Sequence, residues 1–377
     1  MKDTVAVPFV DLGQATAAIR PGFISDLEGI LDRNAFLNGP VVARFEEEFA
    51  LACGRAHCVG LASGLDALRL GLLGLGIEPG DEVIVPAMTF VATFEAVVQA
   101  GGRPVVVDVR PDDAGLDVGA IAGAAGPRAR FVMPVHLYGQ LVDVVALREQ
   151  ASRLDLVIVE DACQAHGASR DGIVPGEIAA AAAFSFYPSK NLGAAGDAGA
   201  IVTDDEALAA NVRALREHGE TSRYHSQYVG YTSRLDAIQA LFLTHKLPFL
   251  GEWNAARAQA AGYYTKALEG VGDLRLPQAV GGSSHVWHLY TIRTADPERL
   301  SGYLREHGIL TGRHYPQPPH LAPAFAGLGL PEGSFPVAEA IGRETLSLPM
   351  FPGVTEQQLE TVANAVSGFF AERSSLG

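Results

Sequence analysis

Lys190 is where a chemical reading of this sequence begins. Of 28 basic residues only four are lysine: Lys2, Lys190, Lys246 and Lys266. A chain that so consistently chooses arginine for charge keeps this lysine inside FSFYPSKNLGAAGDAGA, with almost no other charge around it. Such a site has a use for an amine that can lose its proton, which a guanidinium cannot do. Desolvation lowers an amine's pKa and makes it a nucleophile for carbonyl carbon, the requirement of a Schiff-base lysine. Asp161 is the second candidate, at the end of the apolar run LVIVEDA. A carboxylate there either caps the next helix or pairs with a cationic ring nitrogen and keeps it protonated. The third is the turn Ser63-Gly64-Leu65 in GLASGLDAL. Small residues at a helix start leave N–H groups free for a phosphate, although serine before a helix is also an ordinary cap.

The elements that must position these groups are legible between about residues 55 and 205. Short apolar runs, HCVGLA, DEVIVPA, RPVVVDV, ARFVMPVHL, LVIVEDA, AAAFSFY and GAIVTDD, alternate with Ala/Leu-rich helical stretches. Runs without a polar face, in βαβ alternation, predict an α/β fold with a largely parallel sheet covered on both sides by helices. In such sheets ligands collect at the carboxyl ends of the strands. Residues 205–260 read as helical, and from about 275 the texture changes to strand (HVWHLYTIRT), helix (DPERLSGYLREHG), Pro-rich loop (HYPQPPHLAPAF) and a last helix (TEQQLETVANAVSGFFAER). This predicts a large domain over residues 1–250 and a smaller α+β domain over 251–377. Lys190, Asp161, the Ser63 turn and Ser185, each near a strand end of one sheet, together supply the anchors of pyridoxal phosphate: an amine for the aldehyde, a carboxylate for the ring nitrogen and donors for the phosphate.

The order and spacing of these motifs resemble the DegT-type family of sugar aminotransferases, fold-type-I pyridoxal-phosphate enzymes. The resemblance runs from FLNGPVVARFEEEFA through PAMTFVATFEAV, PVHLYGQ, EDACQAHGA, FSFYPSKNLGAAGDAGA and GYTSRLDAIQA to HVWHLY, HYPQPPH and LSLPMFPGV. It implies that Lys190 holds the cofactor and shuttles a proton, that Asp161 pairs with the pyridinium nitrogen, and that Gln164 hydrogen-bonds the ring hydroxyl. Phe90 is implied to stack on the ring, and Ser185 with Ser63, Gly64 and Leu65 to hold the phosphate. The GYTSR stretch, including Thr232 and Arg234, would reach the neighbouring subunit's site, which implies a homodimer. His136 and His288 are expected to serve the structure.

Two departures matter. Leu65 stands where many relatives carry threonine, and Thr232 where the family motif more often has asparagine. The forms SGLDAL and FSFYPSKNLGA resemble the branch acting on 3-keto sugars, in which Tyr187, His314 and Tyr315 would anchor the hexose. The expected substrate is a dTDP-3-keto-6-deoxyhexose and the expected donor L-glutamate. A 4-keto-sugar enzyme or a regulator that binds the cofactor without turnover are the alternatives. Related dehydratases replace the lysine with histidine, and Lys190 argues against them. Composition adds exclusions. A formal net charge of -15 argues against a generic nucleic-acid or anionic-membrane surface. Cys53, Cys58 and Cys163 form no disulfide or metal-binding pattern, and the N-terminus lacks the features of a signal peptide. The expectation is a cytoplasmic protein without a metal.

Overall fold

A computed structural model describes residues 6–374. The seven apolar runs become the seven strands of one sheet: β1 (His57–Leu61), β2 (Glu82–Pro86), β3 (Arg103–Val107), β4 (Ala129–Val132), β5 (Val157–Asp161), β6 (Ala181–Ser185) and β7 (Gly199–Thr203). Their spatial order is β1-β7-β6-β5-β4-β2-β3. Every pairing from β6 through β5, β4 and β2 to β3 is parallel, and β7 alone runs antiparallel to both of its neighbours. The runs lack a polar face because both faces are covered. Ile84, Val132, Ile158 and Phe184 join the core on one side, whereas Val83, Val85, Phe131, Val159 and Ile201 join the core on the other. Side-chain alternation along each strand thus selects which helical layer a residue meets, and polar residues are confined to the strand ends.

The helices of the large domain are α1 (Gly13–Arg33), α2 (Gly39–Ala52), α3 (Gly64–Gly74), α4 (Ala92–Gln99), α5 (Val144–Arg153), α6 (Glu206–Arg216) and α7 (Ala237–Lys246). Phe45 and Phe49 of α2 meet Phe184 and Phe186 edge-on at ring separations of 5.1–5.4 Å, a geometry aromatic pairs favour. On the opposite face Leu68, Leu70 and Leu72 of α3 pack with Phe94 of α4 and Val212 of α6. After α8 (Leu250–Leu268) a two-stranded antiparallel sheet, β8 (Tyr290–Arg293) with β9 (Thr345–Leu348), is flanked by α9 (Pro297–Glu306), α10 (Pro336–Glu344) and α11 (Glu356–Ser374). Tyr264, Tyr290, Leu300, Ile309 and Val362 centre a separate core there, and Val7 joins it by bridging to Ile309. Ala338 and Ile341 of α10 pack against Ala87 and Val135, so this region closes over the carboxyl ends of β2 and β4.

Two stretches differ from the sequence reading. Residues 217–236, expected to be helical, leave α6 through His218 (φ 58°) and Gly219 (φ 73°) and form a short hairpin, Glu220–Ser222 with His225–Ser226. A Cβ on Gly219 would lie 1.9 Å from the Tyr228 carbonyl oxygen, so only glycine permits this crossing. The apolar helical spacing lapses over EHGETSRYHSQ, which is the physical reason the helix stops. HVWHLYTIRT is a strand only from Tyr290. Trp287 takes φ 47°, and this turn carries His288 to the large domain's strand ends.

Candidate active site

At those strand ends lies a cavity of about 470 Å³ between the two cores. It is lined by Ser63, Gly64, Leu65, Phe90, Asp161, Gln164, Ser185, Tyr187, Lys190, His314 and Tyr315. Of the site residues expected from sequence, Thr232 and Arg234 lie elsewhere. Thr232 Oγ1 sits 3.2 Å from His218 Nε2, and Arg234 pairs with Glu217 at 2.8 Å.

The innermost part is the most connected. β5 delivers Asp161, which is buried. Its Oδ2 accepts the Thr93 hydroxyl at 2.8 Å and its Oδ1 the Cys163 N–H at 3.2 Å. Because Thr93 spends its one proton on Asp161, the 2.7 Å contact between Thr89 and Thr93 has Thr89 as donor. A carboxylate offers about four lone-pair sites, so Asp161 keeps capacity for a further N–H. Gln164 is fixed from both ends: its Oε1 accepts the Tyr138 N–H at 2.7 Å and its Nε2 donates to the Tyr315 hydroxyl at 3.0 Å. Burial pushes the Tyr315 phenol pKa up, so it stays protonated. The Tyr138 hydroxyl donates to the His314 carbonyl.

Lys190 follows β6 in a loop whose tightness is set by Gly193, where a Cβ would come within 2.2 Å of the Pro188 carbonyl oxygen. Burial of its amine lowers the Lys190 pKa, and the nearby Cys163 and Asp161 oppose that shift. The next residue, Asn191, donates to Asn254 Oδ1 and to the Val286 carbonyl, both at 2.8 Å. Its Oδ1 must therefore accept the 3.0 Å bond from His288 Nδ1–H, which leaves His288 Nε2 as an acceptor. Burial first, then the charge of Lys190, holds the His288 pKa well below its ordinary value and His314 at about 4, so both imidazoles are neutral at pH 7. Behind the loop, buried Lys246 donates to the Gly193 carbonyl at 2.6 Å, its ammonium 5.2 and 5.4 Å from the rings of Phe242 and Trp253.

At the other end α3 begins. Ser63 caps it by accepting the Asp66 N–H at 3.1 Å, and helix geometry leaves the N–H groups of Gly64 and Leu65 without intrahelical acceptors. A Cβ on Gly64 would sit 2.7 Å from Ser185 Cβ and 2.8 Å from Cys163 Sγ. Only glycine lets this helix end close on the sheet and form an anion cradle. The residues present therefore fit pyridoxal phosphate: an amine whose pKa burial lowers, a carboxylate with spare lone pairs at the end of β5, and amides without intrahelical acceptors at a helix N-terminus. Sequence reasoning missed the Thr89–Thr93 relay, Tyr138 and the cavity position of His288, whose bond to Asn191 fits the structural role expected of it. The i, i+4 threonine spacing in TFVAT was the available signal. His136, by contrast, is fully buried and 3.5 Å from the buried carboxylate of Glu160.

The profile of the DegT/DnrJ/EryC1/StrS aminotransferase family matches residues 18–367. A dTDP-3-amino-3,4,6-trideoxy-alpha-D-glucose transaminase of Streptomyces venezuelae is 45% identical over 364 residues, 97% of this chain and 96% of that protein. The crystal structure of S. venezuelae DesV in complex with a ketimine intermediate superposes with a TM-score of 0.94 at 45% identity, covering 96% of this chain and 98% of the other. NtdA from Bacillus subtilis, solved with bound cofactor PMP, gives a TM-score of 0.88 at 31% identity over 96% of this chain and 83% of its own.

Proposed function

The chain belongs to the DegT/DnrJ/EryC1/StrS aminotransferase family and is a pyridoxal-phosphate-dependent aminotransferase, and on that premise we propose that it aminates carbon 3 of a nucleotide-linked keto-deoxysugar. The substrate is a dTDP-3-keto-6-deoxyhexose, the donor L-glutamate, and the working unit a cytoplasmic homodimer. The observation that carries this reading is the placing of Tyr187, His314 and Tyr315 in one cavity with Lys190 and Asp161. The likeness to a dTDP-3-amino-sugar transaminase over nearly the whole chain supports the 3-keto branch. Among the described residues no helix is long and apolar enough to cross a membrane.

Bound in the cavity, pyridoxal phosphate supplies an aldehyde that carries the amino group and a ring that withdraws electrons from the carbon beside it. Ser63, Gly64, Leu65 and Ser185 would hold its phosphate, with the α3 dipole favouring the negative charge. Phe90 would cover the ring, and Gln164 would orient it through its spare amide proton. Asp161, immobilised by Thr93 and the Cys163 amide, would keep the proton on the ring nitrogen. Lys190 would be the attachment amine. Its pKa lowered by burial, Nζ, once released by the incoming amine, would take the proton from the donor's α-carbon and deliver one to carbon 3 of the sugar in the second half of the exchange. The protonated phenol of Tyr315 would give the hexose hydroxyls a donor, and the neutral imidazole of His314, held by Nδ1 on Ser347 Oγ at 2.9 Å, an uncharged polar neighbour; Tyr187 sits at the mouth. Thr232 and Arg234 act in the partner's cavity.

The test is a two-stage spectral titration of the loaded enzyme. L-Glutamate should bleach the absorbance of the lysine-bound cofactor, and a dTDP-3-keto sugar should restore it with formation of the 3-amino sugar. Restoration by a dTDP-4-keto sugar instead would move the enzyme to the 4-keto branch, and no bleaching by any amino acid would overturn the proposal.

A further inference from the structure

The segment Tyr231–Arg234 alternates in what it touches. Ser233 is fully buried and its hydroxyl donates to Asp66 Oδ2 at 2.7 Å, in the first turn of α3. The Arg69 guanidinium binds Asp66 Oδ1 at 2.5 Å and lies 4.2 Å over the Tyr231 ring. Tyr231 and Ser233 thus face the cradle helix of their own chain. Thr232 and Arg234, between and beyond them, turn away toward His218 and Glu217. Backbone bonds hold this alternation: Tyr231 N–H donates to Leu215 O at 2.7 Å and Ser233 N–H to Arg216 O at 3.1 Å.

We propose that the Ser233–Asp66 hydrogen bond is a positioning contact for the other subunit: it anchors the segment on its own α3 so that Thr232 is presented to the partner's cavity. The proposal rests on the homodimeric reading above. Its distinctive consequence is that a lesion at Ser233, although it touches the cradle of its own chain, weakens cofactor binding across the interface. A prop for the local cradle would use the same bond and act in its own subunit, so the two roles differ only in where the damage is felt.

Hybrid dimers with one working lysine separate them. In the first hybrid a wild-type subunit pairs with K190A/S233A, so the only intact Lys190 site receives the altered segment. In the second, K190A pairs with S233A, so the only intact site receives an unaltered one. Both are loaded with pyridoxal phosphate, freed of excess, and followed by absorbance for loss of the lysine-bound cofactor, with a wild-type/K190A hybrid as reference. Losing one buried hydrogen bond predicts about tenfold faster loss in the first hybrid and none in the second. Y231L, which removes the seat of Arg69, should repeat the pattern and serves if S233A folds poorly. Faster loss in the second hybrid alone, in both equally, or in neither overturns the proposal. T232A in the same two arrangements tests the underlying reading. If T232A acts across the interface and S233A does not, the homodimeric reading stands and only this inference falls; if T232A acts in its own subunit, or the loaded protein sediments as a monomer, both fall.

Discussion

The two ends of the cavity are built in opposite ways. At the inner end Thr89 bonds Thr93 and Thr93 bonds Asp161, Gln164 accepts the Tyr138 N–H beside them, and Asp161, Gln164, Thr89 and Thr93 are buried. At the outer end Phe90 and Tyr187 are 51% and 55% exposed, and two amides of α3 wait without acceptors. A carboxylate that must hold a ring proton has to be oriented before anything binds, because a buried charge with a loose partner is costly. A phosphate cradle can be finished by whatever arrives, since the anion itself satisfies the donors. The inner end is thus held by bonds within one chain, whereas the outer end is open; on the proposed reading, the partner subunit and the sugar complete it.

Substitutions at the two ends should therefore fail in different currencies, turnover inside and retention outside. The largest effect is expected at Lys190. K190A should lower transamination on the order of 10⁴-fold, read by glutamate-dependent amination of the sugar. D161A should keep the fold, checked by circular dichroism, while turnover falls by roughly 10²–10³-fold. Full activity in that variant would sever the link between the inner end and the chemistry. T93V removes one donor to Asp161 and should cost about tenfold in turnover, with cofactor retention nearly unchanged. L65T acts at the outer end and in the opposite direction. It restores a hydroxyl to the cradle and should slow cofactor loss severalfold without raising turnover, measured by dilution of the loaded enzyme.

A pH experiment sharpens the comparison from the side of stability. The fold lowers the Lys190 pKa from 10.5. Between the lowered value and 10.5 the unfolded chain binds more protons than the folded one, so folding stability rises with pH through that window. K190M lacks this contribution. In urea melts of the apoprotein, wild type should gain stability relative to K190M on going from pH 7 toward 10, and a pH-independent difference would mean the amine is not desolvated.

Much of this was legible in the sequence, and the failures have physical causes. All seven strands of the sheet were found because each is apolar on both faces, a signal that survives without partners. Their carboxyl ends then located the cavity. Thr89 and Thr93 escaped notice because threonine before and within a short helix is ordinary, and only the fold brings β5 against it. The cavity position of His288 was not legible because one left-handed residue, Trp287, redirects the chain, and no periodicity announces such a turn. The hairpin at 220–226 was read as helix because the flanking helices are so regular. For the threonines the missing information was a contact between segments far apart in sequence, and for His288 and the hairpin it was a local left-handed turn that periodicity does not show.

The most direct test of the central claim is to reduce the loaded enzyme with borohydride and map the labelled peptide by mass spectrometry. Reduction makes the bond between the cofactor and its lysine permanent. A single phosphopyridoxyl group on Lys190, with none on Lys246 although burial lowers that amine's pKa to about 8, is the predicted result. A label on Lys246 or Lys266, or none on any lysine, would contradict the assignment of this cavity as the catalytic site.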